Sequence, residues 1–104
     1  MKLDEAILDA VKNCNKWSGG ATITKDNNTD NYYAIPSTWL NDVSYTGPKN
    51  IVLTINDPVE VVGSEDLTDY TDKDLLKYIN DEFIPCLVDA MEWNQVNNMD
   101  LAGL

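Results

Sequence analysis

Five carboxylates, Asp74, Asp81, Glu82, Asp89 and Glu92, recur at spacings that a helix would turn onto one side. With Asp74 at zero, Asp81 falls at about −20°, Glu92 at about 0°, Asp89 at about 60° and Glu82 at about 80°. Leu76, Ile79, Phe83, Leu87 and Ala90 fall at about 140° to 220°. One side of this helix packs, and the other carries carboxylates along about 27 Å from Asp74 to Glu92. Glu65, Asp66, Asp69 and Asp72 add four acids in a loop just upstream. The chemistry open to such an array is charge pairing, because carboxylates accept strong hydrogen bonds from Lys and Arg. Duplex DNA carries about one charge per 1.7 Å, hence about sixteen over the same 27 Å. Helix and loop acids together reach about half that density, enough to imitate one strand's phosphates but not a duplex. The plain alternative is a solvated helix face that packs on its other side.

Other chemistries find less support. The chain has 18 Asp and Glu against seven cations, all Lys, and no His, for a net charge of −11. Without a basic face it is no phosphate-neutralising nucleic-acid binder. Without His, imidazole catalysis and His metal ligation are excluded. Cys14 and Cys86 are far apart and outside any C-x-x-C, so they read as small buried hydrophobes; a disulfide between them stays open. Cys14 has no His to activate it and sits at helical spacing with Val11 and Trp17. Asp26, Asn28 and Asp30 match the first three ligand positions of an EF-hand loop. The twelfth position is Ser37, where a bidentate Glu is needed, so a polar turn is the better reading. Gly19-Gly20 lacks the Lys of a phosphate loop and reads as a helix stop. No metal, no cofactor and no enzyme activity is expected.

The charge is lopsided. Residues 1–56 hold six acids and five Lys, while 57–104 hold twelve acids and two Lys. A one-sided field of this kind draws basic partners and speeds their encounter, although acidity also keeps small domains dissolved. The opening Met1-Lys2-Leu3-Asp4-Glu5 is unlike a signal peptide, and no run is long enough to cross a bilayer. Anionic headgroups would repel this surface. The expected address is the cytoplasm.

The elements that must position these groups follow from periodicity. Leu3, Ile7, Ala10, Val11, Cys14 and Trp17 form one apolar stripe, predicting a helix over 3–17 that stops at Ser18-Gly19-Gly20. Residues 21–24 and 32–35 predict two strands joined through the polar turn 26–31, with Pro36 ending the second. A short helical turn is expected around Trp39-Leu40. Ile51-Val52-Leu53-Thr54-Ile55 is the clearest strand, and Val59-Glu60-Val61-Val62 is expected to continue as another. From Thr71 the period is helical again, and Pro85 must kink one helix or open a second. A single α+β domain over 1–104 follows: an N-terminal helix, a three- to four-stranded antiparallel sheet, and one kinked or two C-terminal helices. Tyr32, Tyr33, Trp39 and Tyr45 belong to core and sheet packing or to an interface, with Trp39 the best-placed exposed contact.

In layout and composition the chain resembles the small acidic phage proteins that inhibit host defence nucleases, anti-CRISPR proteins among them. The matching features are the opening helix, the strand through Ile51-Val52-Leu53-Thr54-Ile55 and the acidic stretch 65–92. The resemblance implies a non-catalytic, nucleic-acid-mimicking inhibitor whose carboxylates occupy a nucleic-acid channel of its target. Acidic immunity proteins that block a toxin nuclease are a related class. A phage structural or accessory module, joined to its partner through a sheet edge or the aromatic cluster, is the other reading; it makes Trp39 and Tyr33 matter and the acids not. A calcium-dependent binder is the third.

Overall fold

A computed structural model describes residues 1–88. The chain is an α+β fold: an N-terminal helix, a three-stranded antiparallel sheet, and helices after the sheet of which the last is long and kinked. Helix α1 (Leu3–Asn13) buries Ala6, Ile7, Ala10 and Val11, the stripe that three- and four-residue spacing predicts. Asp4 and Glu5 lie in its first turn and Lys12 in its last, as the helix dipole favours. The regular helix ends at Asn13, four residues short of the expected Trp17, and hydrogen-bonded turns carry the chain on. Gly19 and Gly20 then both take positive φ. At Gly20 a Cβ would also lie 2.9 Å from the Ile55 carbonyl oxygen, so only glycine fits where α1 hands over to the sheet.

Strands β1 (Ala21–Lys25) and β2 (Tyr32–Pro36) form the expected hairpin, and β3 (Asn50–Ile55) pairs with the other edge of β1, giving the order β2-β1-β3. The hairpin turn is closed by Asp26, whose carboxylate accepts the Asn28 N–H at 2.9 Å. That is the local Asx bond that makes Asp a turn residue. A bulge on β3 opposite Ile23/Thr24 breaks the register. Ala21 and Ile23 point into the core under α1, and alternation sends Thr22 and Thr24 to the opposite face, where both are also buried. Thr22 Oγ1 meets Ser37 Oγ at 2.7 Å, which ties the start of the 3-10 turn (Ser37–Asn41) to the middle of this face.

Thr24 Oγ1 is buried with no hydrogen-bond partner among the described residues. A buried hydroxyl without a partner bears its full desolvation cost. Thr24→Val keeps the shape and removes that group, so it is expected to raise stability by about 1 kcal/mol. Urea denaturation checks this, and a lower midpoint would contradict it.

Residues 59–62 are not a strand. Val59–Val62 is a short helix, α2. Pro58 enters it with φ −54°, Asp57 Oδ1 accepts the Val59 N–H at 3.0 Å, and Gly63 ends it at φ 76°. These caps prevail over the β-branched composition that suggested a strand. Helix α3 (Asp72–Tyr78) opens on a capping box in which Thr71 and Asp74 bond each other's N–H groups. The path continues through a π-helical segment, Ile79–Phe83, and returns to α-helix over 84–88. In the π segment Ile84 N–H donates to the Ile79 carbonyl, one residue farther back than in an α-helix. Pro85 follows directly. It has no N–H to give and its ring crowds the carbonyl four residues back, so a wide turn placed before it accommodates both defects. Pro85 therefore kinks one long helix rather than starting another.

The core joins all layers: Ile7, Val11 and Cys14 of α1, Ala21 and Ile23 of β1, Ile55 of β3, Val61 of α2, and Ile79. Cys14 is buried, and burial first, then the Asp57 charge, pushes its thiol pKa up. That suits a packed side chain, not a nucleophile. Cys86 is exposed and both cysteines are free. Among the described residues no helix is long and apolar enough to cross a membrane.

Candidate carboxylate interface

The acids expected to act together sort into separate surroundings. Asp74, Asp81 and Glu82 line one shallow depression of about 280 Å³, shared with Lys77 and Tyr78. The helix turns them there, with Leu75 and Ile79 buried behind. The side chain of Tyr78 stands 43% exposed among these carboxylates. The sequence reading missed it, although the same wheel puts it at about 40°, between Asp74 and Glu82. Its aromatic character at the surface is the signal, as Tyr is favoured at contact sites.

Glu65, Asp66 and Asp69 stand exposed in the connection between α2 and α3, outside that depression. Tyr70, also exposed, follows them. Asp72 is elsewhere again. It bonds Lys12 of α1 at 3.0 Å, and the two line a groove with Glu5 and Asp9. Reading the acids by chain position missed Glu5 and Asp9, because only tertiary packing brings α1 beside α3. Asp89 and Glu92, the far end of the expected stripe, lie outside the described residues. The wheel drawn from Asp74 is in any case interrupted, because the π segment inserts about one residue's rotation, roughly 100°, before position 84.

Some of these carboxylates also hold local structure. Asp66 Oδ1 accepts from the Thr68 N–H at 3.0 Å and its hydroxyl at 2.7 Å, and these bonds lower the Asp66 pKa. Asp74 is held low by its backbone bond from Thr71, with Lys73 and Lys77 adding to the effect. A carboxyl whose pKa is lower folded than unfolded stabilises the fold above its unfolded value, and the benefit disappears as pH falls through the folded value. The melting temperature of Asp74→Ala should therefore lie below that of the parent at about pH 6, with the gap closing toward about pH 2. A gap that stays constant across that range would contradict the assignment.

Trp39 is 48% exposed, in the 3-10 turn where a helical turn was expected, with its ring 6.1 Å from that of Tyr45. These two, with Asp42 and Ser44, line a separate depression of about 340 Å³, which shares no residue with the carboxylate one. Trp39 and the carboxylates Asp74, Asp81 and Glu82 thus line different depressions. Among the described residues no three His, Cys, Asp or Glu side chains gather as a metal-ligand set. Compared with protein-family models, with curated proteins and with solved structures, the chain matches none.

Proposed function

We propose that this chain is a non-catalytic acidic binding protein, an inhibitor of the anti-CRISPR-like kind that covers a basic nucleic-acid-binding surface of a defence nuclease. The observation that carries the reading is the state of the acids over 65–82. Glu65, Asp66, Asp69, Asp72, Asp74, Asp81 and Glu82 are all exposed, and of these only Asp72 has a lysine within ion-pair distance among the described residues. Exposed, mostly unpaired carboxylates beside Tyr70 and Tyr78 offer what a Lys- and Arg-lined channel binds: acceptors for charge-assisted bonds and aromatic faces for cations. The partner is a protein with a cationic groove, and the cytoplasm of a phage-infected cell is where the two would meet.

The experiment is affinity capture from host lysate with the full chain and with Asp69→Asn/Asp81→Asn/Glu82→Gln, followed by a nucleic-acid competition assay on whatever the parent alone retains. The reading expects a nucleic-acid-binding protein that releases its nucleic acid as the chain is added. A captured protein that depends on Trp39 and ignores the acids would instead support the assembly-module reading, in which the exposed Trp39 is the anchor.

A further inference from the structure

We propose that the groove between α1 and α3 is a second contact of the same interface, taking an apolar side chain of the cationic partner that flanking Lys or Arg residues hold in place. The proposal rests on the reading above for the partner's charge and adds how that partner is gripped.

The groove has a definite build. Glu5, Leu8, Asp9 and Lys12 supply one wall, at the three- and four-residue steps of a single α1 face, with Met1 just ahead of the helix, and Asp72 and Leu76 supply the other, one turn apart on α3. The helices run antiparallel: Lys12 pairs with Asp72 at one end, and Asn80 Nδ2 donates to Asp4 Oδ2 at 2.9 Å at the other. Both cross-links span the two walls at the protein surface. The volume is about 340 Å³, at the small end of the roughly 300–1,000 Å³ of pockets that seat a ligand.

Its chemistry selects one occupant. Met1, Leu8 and Leu76 are apolar surfaces left partly open, while Glu5, Asp9 and Asp72 place three carboxylates on the lining against the ammonium of Lys12 and that of the Met1 N-terminus, which donates to the Tyr32 carbonyl at 3.3 Å. An apolar group entering here loses water from both partners, which favours binding. Charge decides which apolar group it is. A second copy of this chain, at −11, is repelled, as are a nucleic acid and an anionic membrane. A Leu, Ile or Met set between Lys or Arg residues complements both the floor and the rim. An aliphatic anchor seated in a pocket with a polar rim is a workable interface design.

The test uses two synthetic peptides of equal length and charge: one of Leu and Lys at helical spacing, the other with every Leu changed to Ser. Each is titrated into the full chain while backbone amide shifts are followed by NMR. The Leu/Lys peptide should perturb Leu8, Lys12 and Leu76 and bind at least tenfold tighter than the Ser/Lys peptide, and Leu8→Gln should remove that advantage. Leu8 is only half-buried, and a thermal melt checks that the variant stays folded. If both peptides bind equally, with shifts at Glu65, Asp66, Asp69, Asp74, Asp81 and Glu82 and none at Leu8, Lys12 or Leu76, the groove proposal is overturned and the acidic interface stands. If neither binds, both are overturned.

Discussion

Ile79→Ala is expected to lower the unfolding free energy by about 2–5 kcal/mol, the range for truncating a buried Ile, Leu or Met. Ile79 has no exposed surface and belongs to the core shared by α1, β1, β3 and α2. It is also the first residue of the π segment, so its side chain anchors the helix where the backbone is least regular. A domain of this size is stable by roughly 5–15 kcal/mol, so one truncation removes a large part of the total. At about 4–8 °C per kcal/mol, the melting temperature should fall by at least about 8 °C. The same change at the next position, Tyr78→Ala, removes a half-exposed ring and should move the midpoint far less. Chemical denaturation of both variants checks the pair. Equal effects would mean that this helix is not seated on the core through Ile79.

Neutralising three acids without disturbing the fold is expected to weaken partner binding about tenfold, from roughly a twofold effect at each exposed pair. The variant is Asp69→Asn/Asp81→Asn/Glu82→Gln. Asp66 and Asp74 are left alone because their carboxylates close a turn and cap a helix, and Asp72 because it pairs with Lys12. The loss should fall mainly on the association rate, since rim charges steer encounter more than they slow dissociation. Melting should be unchanged or slightly higher, because repulsion in a chain of −11 is relieved. Surface plasmon resonance against the captured partner separates the rates. An unchanged association rate would remove these three acids from the interface.

What could be read from the chain was what neighbours in sequence decide. The stripe from Leu3 to Val11 and the apolar, largely β-branched run Ile51–Ile55 are local patterns, and each became the expected element. Residues 59–62 misled because three valines outweigh one Glu in strand preference, while the deciding bonds come from Asp57, Pro58 and Gly63 just outside the run. Pro85 announced a disturbance but not its form, a π-helical turn over Ile79–Phe83 just ahead of it. The candidate site divides the same way. Asp74, Tyr78, Asp81 and Glu82 share a surface through helical spacing alone. Glu5 and Asp9 join Asp72 only because α1 lies across from α3, sixty residues away in the chain at the Lys12–Asp72 pair, and no spacing rule reaches that far.

On the proposed function, exposed carboxylates over 65–82 take the place of nucleic-acid phosphates on a cationic partner. The most direct test is competition for that partner between the chain and its nucleic acid, measured across a salt series. Mutually exclusive binding is expected, with an affinity for the chain that falls steadily as salt rises. A stable ternary complex, or an affinity indifferent to salt, would contradict it.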